Sequence, residues 1–531
     1  MRIRSVIVFF LFIFAISALS VRLMRVAEQP VALSHGAMRL MVDESRGAIL
    51  DRHGSPIVHA EQHTIAAVRP SPTASAVLRG MLSEQRWFEA DERLSRGRLV
   101  AVRVDADSSP TPDIQLLEVY PRFAVQQPAA HLVGHLDANG AGATGLERAF
   151  EPLLGGASGT LMLRLASDAH GRALPGAALE VHDQNYRSRA GIQLTIDLEI
   201  QRVVEAATRH YNLEQGAVIV LCNSTGEILA LASSPAFDPN NIAATMHCSL
   251  EPFFNRALGA YAIGSTFKTF IAAAALDQRI SSTREFLCEG QMDVAGRIYR
   301  CINETAHGMV CMPQALAHSC NLYFIQLATQ MQREPMLDIV RLFGFGEEIH
   351  LADGIRSARG NIPAIGYLAL PGELANFAFG QGMLLGTPLQ MAAATAVIAN
   401  GGTYRTPTLV QATICEFGRV TPFVNDIIET REVITPEQAQ QLRNMMILTV
   451  EEGTGGSARP TSGGAGGKTA TAQSGRFRED GSEILMTSFT GFVPAENPRY
   501  TITVFRQDGV SGAADCGPVF RKIANALTSD G

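Results

Sequence analysis

The chain has 531 residues, 46% of them hydrophobic and 18% charged, with a formal net charge of -7. That length points to two or three domains, and the composition excludes a disordered chain. Nucleic acid is not an expected partner, because neutralising phosphates takes clustered basic surface and no run of basic residues occurs.

The N-terminus reads Met1-Arg2-Ile3-Arg4, then residues 5–21 without a charge, then Arg22. At ~1.5 Å per residue this run reaches about 25 Å, enough for a short transmembrane helix. Arginines ahead of it favour a cytoplasmic N-terminus and an exported remainder. Ala18-Leu19-Ser20 also offers a small-x-small cleavage pattern. The run exceeds the ~7–15-residue core of a signal peptide, so an uncleaved anchor within residues 1–25 is expected. The protein is then expected at the cell membrane, single-pass, with its bulk outside the cytoplasm.

From about residue 40 to 185 the chain shows short, irregular β-like pieces punctuated by Gly and Pro, and residues 26–188 are expected to form a separate N-terminal domain. From Ile192 the texture becomes regular. A helical stretch covers 198–211; the apolar runs 216–221 and 227–232 flank Asn223-Ser224-Thr225-Gly226, which reads as a hairpin. Residues 267–276 are apolar nearly all round, the mark of a helix buried inside a domain and too short for a second span. Thr435-Pro436-Glu437-Gln438 supplies an N-cap, a first-turn proline and a capping-box glutamine to a helix with the apolar stripe Ala439, Leu442, Met446 and Val450. After a Gly/Ser-rich loop, 453–467, the pattern is β over 468–474, 487–493 and 500–505. Residues 189–531 thus read sheet, helical insertion, sheet. An α+β domain with a five-stranded antiparallel sheet is the economical arrangement.

Of the 44 basic residues only three are lysines: Lys268, Lys468 and Lys522. An amine sheds its proton when desolvated and a guanidinium does not, so each lysine invites inspection. Lys268 belongs to Ser265-Thr266-Phe267-Lys268 at the mouth of the apolar helix. The i to i+3 spacing puts Ser265 and Lys268 on one face. A dry setting lowers the lysine pKa, and a neutral amine beside a hydroxyl makes a base and a nucleophile. Ser319-Cys320-Asn321 lies between the helical stretches 313–318 and 322–331. There a second hydroxyl suits proton relay and an amide suits a peptide substrate, although Ser and Asn at a helix break are most often caps. Lys468-Thr469-Ala470-Thr471 fronts a strand able to pair with an extended peptide and hold its carboxylate; alone it reads equally as an ordinary edge strand. Together, in this order on helix, loop and strand, the three motifs form a joint signal of serine acyl transfer.

Eight cysteines permit about 105 pairings, and Cys288 with Cys301, flanking a turn-like stretch, is the best local pair. His131 and His135 have the spacing of a metal pair without an acidic or cysteine partner, so a structural role is expected. No metal and no cofactor is expected. Glu373 reads as a loop acid, and Lys522 as a solvated charge on an amphipathic C-terminal helix, 519–527.

The motifs resemble those of the class B penicillin-binding proteins, monofunctional peptidoglycan D,D-transpeptidases, and the resemblance covers nearly the whole chain. Arg46-Gly47-Ala48-Ile49-Leu50-Asp51-Arg52-His53-Gly54 resembles the family's N-terminal signature, and Gly142-Ala143-Thr144-Gly145-Leu146-Glu147 its pedestal stretch. Asn255-Arg256-Ala257, Phe379-Gly380-Gln381-Gly382, Thr387-Pro388-Leu389-Gln390 and Gly491-Phe492-Val493-Pro494 also match. Three positions depart from the pattern: Ala470 stands at a usual glycine, Ala262-Ile263 at a proline-bearing entry, and Phe489 near an expected tryptophan.

The resemblance implies a transpeptidase domain with an all-helical lobe, behind a pedestal and one transmembrane helix. It implies Ser265 as nucleophile on the penultimate D-Ala carbonyl of a stem peptide, Lys268 as base, and Ser319 with Lys468 as proton relay. Asn321 would hold the substrate amide, Thr469 and Thr471 the terminal carboxylate, and the backbone N–H groups of Ser265 and Thr471 the oxyanion. β-Lactams would acylate Ser265, and a membrane-embedded glycan polymerase is the implied partner. The alternatives are a D,D-carboxypeptidase or β-lactamase-type hydrolase, or a non-catalytic β-lactam sensor or scaffold.

Overall fold

A computed structural model describes residues 13–22 and 36–529, apart from 106, 169, 175, 187, 189 and 425–427. The expected anchor lies partly outside the described residues. Residues 13–22 are helical, and among the described residues no helix is long and apolar enough to cross a membrane. The chain divides into two compact units: residues 1–46, 61–121 and 158–188, and residues 47–60, 122–157 and 189–531.

The first unit holds two three-stranded sheets. In one, Gly159–Ala166 lies between Ala37–Ser45 and Glu180–Gln184; in the other, His63–Val68 lies between Val100–Val104 and Ile114–Val119. Gly159–Ala166 alternates strictly, burying Leu161, Leu163 and Leu165. Two helices, Pro72–Arg79 and Glu84–Ser95, pack Ala74, Leu78, Ala90 and Leu94 onto the second sheet's Ala66, Val68 and Val100. The sequence reading sees only β-like pieces here. Each helix buries just two residues, too few for a 3.6-residue period to stand out, although Ser71 caps the first by accepting from Ala74 N at 3.0 Å.

The second unit is built on the expected five-stranded antiparallel sheet. Its strands are β1 (Gly216–Cys222), β2 (Ile228–Ser234), β3 (Gly466–Phe477), β4 (Glu483–Val493) and β5 (Tyr500–Gly509), in the order β2-β1-β5-β4-β3. β1 and β2 are apolar runs buried on both faces, because helices cover the sheet on each side. β3 is an edge strand.

Between β2 and β3 the chain forms the helical lobe. Its elements include α1 (Lys268–Asp277), α2 (Met312–Ala317), α3 (Asn321–Thr329), α4 (Pro388–Ala399) and α5 (Pro436–Glu451). α1 is buried from Lys268 through Leu276, as its composition demands. Thr435 caps α5 in the expected capping box with Gln438, and Ala439, Leu442, Met446 and Val450 all face the core. Elsewhere in the second unit two further sequence motifs meet. Arg122 donates to Glu147 and to Gly47 O, each at 2.6 Å, tying the stretch after Arg46 to the one around Leu146.

Candidate active site

Ser265 sits half-buried in a single 3-10 turn, Gly264–Phe267, that runs directly into α1. Gly264 has φ +64, and a Cβ there would stand 2.8 Å from Ala472 Cβ and 3.3 Å from Ala470 Cβ. Only glycine therefore lets the serine turn lie this close against β3. Gly264 N also donates to Gly380 O at 2.8 Å, which gives the Phe379-Gly380-Gln381-Gly382 match a physical purpose.

Lys268 opens α1 and is fully buried. Its Nζ donates to Ser319 O at 2.6 Å and Asn321 Oδ1 at 2.6 Å, with Ser319 Oγ at 3.2 Å. Burial lowers its pKa to about 8, partly opposed by the Cys320 and Cys301 thiols nearby. Among the described residues no hydrogen bond joins this amine to Ser265 Oγ, one turn away. The expected pair is adjacent along the helix while the amine rests on the Ser319–Asn321 loop.

Ser319 lies between α2 and α3 with φ +56, a left-handed conformation that costs a non-glycine residue ~1–3 kcal/mol. The turn this creates points Ser319 O, Ser319 Oγ and Asn321 Oδ1 at one amine. The cap of α3 is Cys320, whose Sγ accepts from Tyr323 N at 3.4 Å, so neither Ser319 nor Asn321 is used as one. Asn321 Nδ2 donates to Arg300 O at 2.7 Å, which engages both ends of the amide.

Lys468 is fully buried on β3, its Nζ donating to Thr469 O at 3.0 Å. Burial first, then repulsion from Lys268, holds its pKa well below the usual lysine range. Alternation along β3 puts Lys468, Ala470 and Ala472 on the face that meets the serine turn, and Thr469 and Thr471 on the other. Thr469 Oγ1 pairs with Thr454 Oγ1 at 2.9 Å; Thr471 Oγ1 accepts from Gly512 N at 3.3 Å. Ala470 is 3% exposed, so its methyl fills the contact beneath Gly264. Phe489, paired with Thr469 across β3 and β4, is core and packs tilted against Phe520 with ring centroids 4.6 Å apart.

Several partners escape motif reading. Thr454 N donates to Ala317 O at 3.0 Å, and a Cβ on Gly453 would stand 2.2 Å from that oxygen. The loop after α5 thereby braces both the Ser319 loop and Thr469. Its glycine-rich composition was the only signal. The expected Cys288–Cys301 bridge is not formed: both are free thiols with Sγ atoms 3.7 Å apart. They converge instead with Cys320 and His307, because the strands Gln291–Val294 and Arg297–Arg300 pair as a hairpin between them. The Cys301 thiol is pulled down to about 5, chiefly by its hydrogen bond with Cys320, whose own pKa is pushed up. His131 packs edge-on to Phe237 with Nε2 2.7 Å from Pro252 O, and His135 Nδ1 lies 2.9 Å from Thr144 Oγ1. Both are structural histidines.

Residues 216–525, more than half of the chain, match the penicillin binding protein transpeptidase domain. Stage V sporulation protein D of Bacillus subtilis is 27% identical over 499 residues, covering 88% of this chain and 74% of that protein. Peptidoglycan D,D-transpeptidase FtsI of Escherichia coli is 24% identical over 539 residues, covering 95% and 87%. Among solved structures, penicillin-binding protein 3 of Mycobacterium tuberculosis complexed with aztreonam has the same fold, with a TM-score of 0.64 at 22% identity over 93% of this chain and 97% of that one. With a half-buried serine one helical turn from a buried lysine inside the matched domain, the chain belongs to the class B penicillin-binding proteins, and its transpeptidase domain is a serine acyltransferase.

Proposed function

We propose that this chain is a peptidoglycan D,D-transpeptidase that joins stem peptides through an acyl-enzyme on Ser265. The observation that carries the reading is Lys268, a fully buried amine one turn from Ser265 and fixed by two 2.6 Å acceptors. A neutral amine has two protons and one lone pair. Ser319 O and Asn321 Oδ1 take the two protons, which leaves the lone pair free to accept from a hydroxyl.

Ser265 Oγ attacks the penultimate D-Ala carbonyl while its proton passes to Lys268 Nζ. Ser319, 3.2 Å from that amine, hands the proton on towards the departing D-Ala amine, with Lys468 completing the relay. The oxyanion rests on the backbone N–H groups of Ser265 and Thr471, a reading supported by the close approach of Gly264 to Ala470 and Ala472. Thr469 and Thr471 receive the terminal carboxylate. Asn321 orients Lys268 at rest and exchanges Arg300 O for the substrate amide on binding. The amine of a second stem then attacks the acyl-enzyme and releases Ser265. β-Lactams acylate Ser265 and stop there. The charge-free run at 5–21 anchors the chain in the cell membrane, beside a glycan polymerase that supplies nascent strands.

The test is paired. Ser265→Ala is expected to abolish covalent labelling by a fluorescent penicillin with an unchanged melting curve. Wild-type protein given stem peptide is expected to form dimeric peptides. Release of D-Ala with only hydrolysed monomer would establish a carboxypeptidase instead, and labelling of the alanine variant would remove Ser265 from the mechanism.

A further inference from the structure

Glu373, expected in a loop, belongs to the first turn of the helix Pro371–Ala378. A glutamate three residues into a helix ordinarily takes the N-cap N–H. This one does not, since Leu370 N donates to Tyr367 O at 3.1 Å. Among the described residues the half-buried Glu373 carboxylate has neither a hydrogen bond nor an ion pair. Asn376, one turn on and only 8% exposed, likewise leaves its amide without a hydrogen bond. A polar side chain this deep is costly to leave unpaired unless a ligand completes it.

Both groups converge on Gly382, which is exposed and has φ +76: a Cβ there would stand 3.4 Å from Glu373 Oε2 and 3.7 Å from Asn376 Nδ2. Glycine leaves the two groups uncovered. Two residues back, Gly380 lies against the serine turn, where a Cβ would collide with Gly264 O. At the start of the same helix Tyr299 Oη donates to Gly372 O at 2.9 Å, and the neighbouring Arg300 O accepts from Asn321 Nδ2. Direct contacts thus tie the pair to the turn that carries Ser265 and to the hairpin that backs Asn321. Leu370 and Met383, 55% and 46% exposed, give it an apolar flank.

We propose that Glu373 and Asn376 form the acceptor subsite and bind the side-chain ammonium of the second stem peptide, the amine that attacks the acyl-enzyme. The proposal rests on the reading of this chain as a transpeptidase. An ammonium brings three donors and no acceptor, which matches a carboxylate and an amide oxygen. The Asn376 amide, held by no bond, turns its oxygen to it. Aliphatic carbons behind the charge lie on Leu370 and Met383. Before attack the ammonium gives one proton to solvent; a second returns to Ser265 Oγ as the C–N bond forms and the ester C–O bond breaks. Glu373 and Asn376 therefore bind and orient, and by holding the amine near the acyl group they let it outrun water. A stem whose amine is blocked leaves the carboxylate unpaired, so the subsite selects a free primary amine.

Binding is read first without turnover. The full chain in detergent, with and without penicillin, is titrated calorimetrically with a tripeptide stem bearing a free side-chain amine. Wild type is expected to bind it, less tightly as salt rises, and at least tenfold less tightly once that amine is acetylated. Glu373→Gln, with an unchanged melting curve, should bind the free-amine peptide at least tenfold less tightly than wild type and lose the salt dependence. No binding by wild type, indifference to acetylation, or equal binding by the variant would overturn the subsite. In turnover, Glu373→Gln should lower the ratio of cross-linked dimer to hydrolysed monomer at least tenfold through a raised acceptor KM, with penicillin labelling slowed less than threefold. An equal fall in labelling and cross-linking would mark a structural role and overturn the subsite too. Wild type that binds the free-amine peptide yet forms no dimer counts against the proposed function alone.

Discussion

Lys268, the proposed base, is fully buried because α1 leaves its amine nowhere wet to go. Lys268→Arg is expected to reduce acylation nearly as far as Ser265→Ala, since a guanidinium stays charged, measured as the second-order rate of penicillin labelling. Acylation by a neutral β-lactam should rise with pH through about 8 as Lys268 loses its proton. Stability follows the same sign. The folded pKa lies below the unfolded value of 10.5, so the unfolded state binds more protons between about 8 and 10.5, and stability rises with pH across that window. Lys268→Met should flatten both profiles, read from labelling rates and denaturant midpoints. At Ser319 strain and chemistry separate. Ser319→Gly relieves the left-handed backbone yet removes the hydroxyl proposed to relay the proton, so the expected result is equal or higher stability with acylation ~10²–10⁴-fold slower.

The elements were legible wherever their signals are local. The capping box of α5 and the apolar circumference of α1 each state their own structure, and each formed within a few residues of expectation. Thr435→Ala should cost about 1 kcal/mol by denaturant titration and leave labelling intact, because that cap lies far along α5 from the Gly453 end. The helices Pro72–Arg79 and Glu84–Ser95 were not legible, for each shows the core only two side chains. Nor was the contact between the serine turn and β3, which joins residues about 200 apart in the chain. Gly264→Ala tests it: a strained φ and a clash with Ala472 should shift Ser265 and lower labelling by more than tenfold, while Ala470→Gly, which merely empties a methyl's volume, should change it little.

Across the whole molecule the two compact units have hydrophobic clusters of their own, one around Ala66, Leu78 and Ile114, the other around α1, α4 and the five-stranded sheet. Calorimetry is expected to resolve two transitions, with β-lactam acylation raising the Tm of only one, the unit that holds Ser265. Motifs of a few consecutive residues, from Ser265-x-x-Lys268 to Lys468-Thr469, determined by themselves which groups are available for acyl transfer, since the spacing of neighbours on a helix or strand follows from backbone geometry alone. What tertiary structure alone decided is the environment. The grip on Lys268 by Ser319 and Asn321 and the meeting of three cysteines with His307 arise from packing between distant segments, and such donor geometry has no counterpart in a local pattern, whereas the dryness of α1 is already written in its apolar composition.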